Sequence, residues 1–383
     1  MDTDIYLDNA STSFPKAEGV SDLMRYYLDE VGGNLSRGTT LNHVEDTVYD
    51  TREMLVKFFN FTNPHNVVFT QNITYGLNFL IYGLLKENDH CIISSLEHNA
   101  VMRPLNFMNQ SRQTSYTKVK CDDTGKLCVE NLRAALTEKT KICIMNHASN
   151  VSGTINPIKE VGNFCRNNGI YFIVDTAQTA GKLDIDADEC NIDALAFTGH
   201  KGLLGPSGIG GFILKDHIVS AIDPLILGGT GSFSDNEIQP LIMPDKFESG
   251  TLNIPGIYGL NAALKYVMRY QKEIFEKEIR LTKNFLDEIS NFENIIVIGP
   301  RSCEDRVSTV SLDFNGLDNG EVSHKLSKEY GISTRSGLHC APSAHKALGT
   351  FPRGTVRLSF GHKNTEKDVA YALDSIKKIV FRA

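Results

Sequence analysis

Two short stretches combine residue types that can do chemistry. Val174-Asp175-Thr176-Ala177-Gln178 ends an apolar run with a carboxylate, and Phe197-Thr198-Gly199-His200-Lys201-Gly202 ends another with hydroxyl, imidazole and amine. Strands buried on both faces read as continuous apolar runs, and open α/β sheets place their chemistry just beyond the carboxyl ends of such strands. An acid and a lysine at two such ends suit pyridoxal phosphate (PLP). The lysine forms a Schiff base, and the acid keeps the pyridinium nitrogen protonated. The same residues also fit an ordinary strand-end acid and a surface lysine, so the rest of the chain has to decide.

Further polar clusters follow apolar runs. Thr70-Gln71-Asn72-Ile73-Thr74-Tyr75-Gly76 joins a strand to a helix, where free backbone N–H groups and a hydroxyl can hold a phosphate. A plain helix cap at Thr74 is the simpler reading of that stretch. His98, in Leu96-Glu97-His98-Asn99, can lie over a cofactor ring or cap the next helix. His147-Ala148-Ser149-Asn150 brings amide and hydroxyl groups to another strand end. Four strand ends delivering polar groups to one edge make a site.

The last cluster is Arg335-Ser336-Gly337-Leu338-His339-Cys340-Ala341-Pro342. Gly and Pro bracket a turn that presents Cys340 beside Arg335 and His339, and nearby cations raise the thiolate fraction that attack requires. A loop cysteine in chance basic company reads the same way. Arg357, in an apolar strand-like run, is a candidate bidentate clamp for a carboxylate.

These groups need a scaffold, and the alternation of patterns supplies one. Strand and helix signals alternate from residue 66 to 174, which predicts a mostly parallel, doubly wound sheet. The run 209–214 follows Lys201 so closely that it adds a strand in the opposite direction. Helices are predicted over 19–30, 43–59, 74–85, 99–108, 129–136 and 158–167, with a glycine-rich loop at 32–38. A long charged helix over 258–291 leads into a smaller α+β unit. That unit has strands at 295–298, 309–312 and 355–359 and helices at 321–330 and 366–379. The expected division is a large α/β domain, 15–260, and a small domain made of 1–14 and 261–383, which carries the cysteine loop.

Composition narrows the class. The 383 residues suffice for two domains, and 41% hydrophobic with 22% charged residues is ordinary for a globular protein. A net charge of −7 without a basic block argues against nucleic acid. No apolar run reaches membrane-spanning length, and the acidic start lacks the pattern of a signal peptide, so a cytoplasmic location is expected. Eight scattered cysteines with no CxxC pair argue against both a zinc site and a disulfide framework.

Together these motifs resemble the class V aminotransferase family of fold-type-I PLP enzymes, and within it the NifS/SufS-like cysteine desulfurases. The RxGxHCA form around Cys340 is similar to the SufS-like branch. The resemblance runs from Tyr6-Leu7-Asp8-Asn9-Ala10 to Arg357. It implies that Lys201 holds PLP and moves the substrate α-proton, that Asp175 pairs with the ring nitrogen and that Gln178 meets the phenolate oxygen. His98 would stack on the ring, and Thr74, Thr198 and His200 would hold the phosphate. Thr251 would reach the phosphate of the neighbouring subunit in a homodimer. Asn150 and Arg357 would bind the substrate carboxylate, with Arg335 beside Cys340. The implied reaction takes L-cysteine to L-alanine and leaves a persulfide on Cys340 for a sulfur-acceptor protein. L-Selenocysteine is an alternative substrate, and other class V reactions or a scaffold without catalysis are competing readings. Ile73, Asn99 and Pro342-Ser343-Ala344 depart from the family pattern.

Overall fold

Consecutive side chains facing opposite ways build the large sheet. Ile92, Cys143, Met145, Phe172, Val174, Leu195 and Phe197 pack into one apolar core, while Cys91, Ile93, Ile142, Ile144, Ile173, Ala194 and Ala196 pack into another. Side chains in a strand alternate between faces, so strands apolar at every position must lie between two helical layers. The protein, described here by a computed structural model covering residues 4–34, 44–233 and 235–381, is built on that arrangement.

After β1 (Ile5–Tyr6), the strands β2 (Val67–Thr70), β3 (His90–Ser94), β4 (Ser115–Val119), β5 (Thr140–Asn146), β6 (Tyr171–Asp175), β7 (Ala194–Thr198) and β8 (Gly210–Leu214) follow in order. β2 to β8 form one seven-stranded sheet in the order β2-β8-β7-β6-β5-β3-β4. β8 is antiparallel to both neighbours and the remaining pairs are parallel, as the sequence predicted. β3, β5, β6 and β7 are therefore contiguous, and their carboxyl ends share one edge. That edge includes the point between β3 and β5 where the winding direction switches.

A second set of strands, β9 (Ile295–Ile298), β10 (Thr309–Phe314), β11 (Ile332–Ser333), β12 (Arg335–Gly337) and β13 (Thr355–Ser359), makes the smaller unit. Four of them form an antiparallel sheet, β12-β13-β10-β9, and β11 pairs with β1. The amino terminus thus belongs with the small sheet, because β1 runs parallel to β11 and Asp8 bridges to Ser359. The helix Ile254–Ile289 connects the two sheets. At 1.5 Å per residue, its 36 residues reach about 54 Å. Its apolar face enters the large core as far as Leu264 and the small core from Leu281 onward.

Some expected elements differ. The helix predicted over 19–30 is an α-helix only over Val20–Tyr26 and widens into a π turn over Tyr27–Val31. The segment 129–136 makes a 3₁₀ turn and then one α turn, Leu132–Ala135, in which only Leu132 and Ala135 are buried. Two anchors do not support a longer helix. The short strand β12 and the helix Pro342–Ala347, on either side of Cys340, were not expected. Residues 35–38 of the predicted loop lie outside the described residues. Among the described residues, no helix is long and apolar enough to cross a membrane.

Candidate active site

The ends of β3, β5, β6 and β7 converge on a narrow cleft lined by His98, Asn150, Asp175, Gln178 and Lys201, with Ile73 closing one side. Register explains the convergence: Asn146 lies opposite Asp175, and Asp175 opposite Ala196, so the strands finish nearly level. Asp175 is buried, and one carboxylate oxygen accepts the Ala177 N–H at 2.8 Å. Burial pushes its pKa up, while that hydrogen bond and the Lys201 ammonium pull it down. Burial drives the Lys201 amine down to about 8, against the attraction of Asp175 and with help from Arg357 and Arg335. A lowered pKa enlarges the neutral fraction of the amine, the form in which a lysine can act as a nucleophile or a base.

His98 caps the next helix and also lines the cleft. Its Nδ1 accepts the Ala100 N–H at 3.0 Å and so caps the helix Asn99–Arg112, while its ring also faces the cleft. Because Nδ1 accepts, the neutral ring carries its proton on Nε2. Burial, together with the charges of Lys201, Arg335 and Arg357, pushes its pKa down to about 3. Gln178 is buried, and its amide donates to the Ala10 carbonyl at 3.1 Å, tying the cleft to the amino-terminal segment.

Thr198 and His200 shortly precede the lysine, and each keeps a buried polar atom without a partner, Oγ1 and Nδ1 respectively. On β8, Gly210 lies opposite both Thr70 and Thr198. A Cβ there would stand 2.9 Å from Asn72 Cα, so glycine lets the start of the helix Ile73–Leu84 rest on the sheet edge. That helix is capped by Asn72 rather than by Thr74, since Asn72 Oδ1 accepts from the backbone of Thr74 and Tyr75. Thr74 is exposed at its first turn. Thr251 is not brought to the Lys201 cleft. It is exposed and lines a separate groove with Phe69, Thr70, Gln71 and Phe247.

The cysteine loop arrives from the small sheet. Asn150 Nδ2 donates to the His339 carbonyl at 2.8 Å, and the Asn99 N–H donates to the Cys340 carbonyl at 2.8 Å. The loop is therefore pinned to the ends of β5 and β3. His339 and Cys340 both adopt positive φ, 49° and 56°, a region unfavourable for side chains with a Cβ and held only when surroundings impose it. Cys340 is the exposed member of the eight free cysteines, and Arg335 Nη2 lies 3.7 Å from its sulfur. The expectation that His339 adds a second cation is corrected. Its ring is buried, bonds Thr355 Oγ1 at 2.9 Å through Nε2, and is driven by burial and nearby arginines to about 2. It is neutral and helps anchor the loop.

Arg357 is 1% exposed. Nη1 donates to the Asn150 carbonyl at 3.1 Å, Nη2 to Asp8 at 2.8 Å and to Ser11 Oγ at 2.7 Å, and Nε is buried without a partner. Reading the sequence missed Asp8 and Ser11, which stand in a polar turn some 350 residues away. It also missed Glu97, which is fully buried and accepts from Ser94 Oγ and the Asn146 N–H. Burial pushes Glu97 up to about 8. Its place between a strand end and His98 was the available signal.

These groups fit PLP. An acid, an amine with a lowered pKa, a neutral imidazole and unpartnered buried polar atoms at Thr198 and His200 gather on one sheet edge, and buried polar atoms without a protein partner point to a ligand. The comparisons with known proteins agree. A family model for class V aminotransferases matches residues 5–371. The chain is 30% identical to a probable cysteine desulfurase of Methanothermobacter thermautotrophicus, over 98% of this chain and 94% of that one. It superposes on an apo structure of a cysteine desulfurase from Thermococcus onnurineus NA1 with a TM-score of 0.92 and 29% identity, covering 99% and 95% of the two chains. The cysteine desulfurase CsdA of Escherichia coli gives a TM-score of 0.88 at 26% identity, covering 98% and 94%.

Proposed function

We propose that this chain, which belongs to the class V aminotransferase family, is a cysteine desulfurase that converts L-cysteine to L-alanine and retains the sulfur on Cys340. Enzymes of this family depend on PLP. When bound at the sheet edge, the cofactor supplies the electron sink that accepts charge from the substrate's α-carbon. Asp175 would face its ring nitrogen, Gln178 its phenolate oxygen, and His98 its ring. Thr74, Thr198 and His200 would hold its phosphate, and Thr251 of a second copy would complete that cup in a homodimer.

The chain's own groups divide the remaining work. Lys201, its amine pKa lowered by burial, takes the proton from the substrate α-carbon and later returns one. Arg357 Nε is the free buried donor for the substrate carboxylate. Asn150 offers its unpartnered Oδ1 to the cleft, since its Nδ2 is committed to the cysteine loop. The sulfur step is written on Cys340. Its thiolate forms an S–S bond to the substrate sulfur as the substrate Cβ–S bond breaks. The electrons of that bond stay with the carbon fragment, which is protonated to alanine. The exposed position of Cys340 lets an acceptor protein collect the persulfide.

We assign the cysteine loop to a small domain of residues 1–14 and 261–383 and the cofactor to a large domain of 15–260. Eight unpaired cysteines suit a reducing compartment such as the cytoplasm. The observation that carries the reading is the docking of the Cys340 loop onto Asn99 and Asn150, at the rim of the Lys201 cleft. Incubation of the holoenzyme with L-cysteine, followed by mass spectrometry of the Cys340 peptide, tests it. A gain of one sulfur with matching alanine is expected. Alanine formed from L-selenocysteine alone would shift the assignment to a lyase.

A further inference from the structure

Arg335 and Arg357 are directly opposite partners across the antiparallel pair β12–β13. Like charges in that position destabilise a sheet, because their side chains leave the same face only a few ångströms apart. Something must hold the two guanidiniums in place, and the amino-terminal segment provides it. Ser11 Oγ accepts from Arg357 Nη2 at 2.7 Å and from Arg335 Nη1 at 2.9 Å, and donates to Asp8 Oδ1 at 2.8 Å. A hydroxyl has one donor and two acceptor sites, so this one is fully used. Asp8 also takes Arg357 Nη2 at 2.8 Å and is the single carboxylate ion-paired to either arginine among the described residues. The other end of Arg335 lies against the Cys340 sulfur at 3.7 Å.

We propose that Ser11 is a positioning residue for sulfur transfer, its hydroxyl fastening the guanidinium that faces Cys340 to the guanidinium that takes the substrate carboxylate. Two arginines and one aspartate leave a single unmatched positive charge. An α-amino acid thiol offers one carboxylate to Arg357 and its sulfur to Cys340. Ser11 fixes the spacing of the two arginines that receive them. The identity of the substrate rests on the function proposed above, but the geometry of Arg335 and Cys340 does not.

The test reads Cys340 in the resting holoenzyme, without substrate, by its rate of alkylation with iodoacetamide. Losing one modest hydrogen bond is worth about three- to tenfold in an equilibrium, and Ser11→Ala is expected to slow alkylation by about that factor. The isosteric pair Ser11→Thr and Ser11→Val separates hydroxyl from volume: Thr should stay within about twofold of wild type and Val should match Ala. In an Arg335→Ala background, Ser11→Ala should slow alkylation no further, because the group it positions is gone. With L-cysteine, Ser11→Ala should also raise KM, and Ser11→Thr should restore it. Wild-type alkylation in Ser11→Val, equal slowing in Thr and Val, or the full factor recurring without Arg335 would each overturn the proposal. Cofactor absorbance confirms folding in every variant. Failure of the wild type to form alanine would instead sink the desulfurase reading and leave the alkylation comparison intact.

Discussion

The Lys201 cleft and the Cys340 loop are built on opposite principles. The cleft residues sit at the ends of buried parallel strands, and the backbone that aims them is fixed by ladders on both sides. The loop has no ladder of its own. It holds two non-glycine residues at positive φ and is held by contacts with Asn99, Asn150 and Thr355 and with Arg335 at its own base. A cofactor needs a fixed bed, whereas a nucleophile that collects sulfur and passes it on must stand in the open. The comparison predicts that cleft variants lose the cofactor or the proton, and that loop variants lose sulfur transfer alone.

The largest effects should make that split visible. Cys340→Ala should lower alanine release from L-cysteine by at least about 10³-fold, as loss of a nucleophile does, while the cofactor absorbance stays. Lys201→Ala should lower activity as much and also abolish the borohydride-reducible cofactor adduct. If Cys340→Ala keeps its turnover, the two regions do not divide the work in this way. Arg357→Lys comes next. A point charge cannot replace a fork whose nitrogens reach Asn150, Asp8 and Ser11, and KM for L-cysteine should rise roughly tenfold or more. An unchanged KM would remove Arg357 as the clamp.

The same contrast explains what the sequence could disclose. Asp175, Thr198 and Lys201 were legible because each ends or follows a run such as Tyr171–Asp175 or Ala194–Thr198, whose unbroken apolar character marks a buried strand. His98 was visible for the same reason, though not that it caps and lines the cleft at once. Asp8 and Ser11 were not legible as partners of Arg357. A polar turn says nothing about a guanidinium some 350 positions along the chain, and the β1–β11 pairing with the Asp8–Ser359 bridge brings them together. His339 was misread because a sequence shows the basic company of Arg335 and Cys340 but not the burial that keeps the imidazole neutral. Its ring turns inward to Thr355. Thr251, exposed in its own groove, shows no function within one chain.

A smaller effect tests the loop's anchoring. Thr355→Val keeps the side-chain volume but removes the hydroxyl that meets His339 Nε2. A buried polar atom left without a partner costs about 1–3 kcal/mol. Part of that should appear as faster proteolysis near residues 338–341 and a several-fold lower kcat, with cofactor content unchanged. Should cofactor binding fall in parallel with kcat, the loop and the cleft would be a single unit.

The smallest expected effect is none at all, and it belongs to the cleft. His98 lines it, and a histidine with an ordinary pKa near 6.5 would change charge across the working range. Here burial and the cations Lys201, Arg335, Arg357 and Arg103 hold it down to about 3. A group with a lowered pKa loses its proton early, so the ring is neutral from about pH 5 upward and contributes no charge change between pH 5 and 9. Its ring C–H resonance in selectively labelled protein should therefore stay flat across that interval. Lys201, whose pKa lies at about 8, should over the same interval become steadily more reactive toward amine reagents in cofactor-free protein. A His98 resonance with a midpoint near 6.5 would show that the cleft admits water and protons as freely as the loop does. The difference in burial that sets the two regions apart would then be lost.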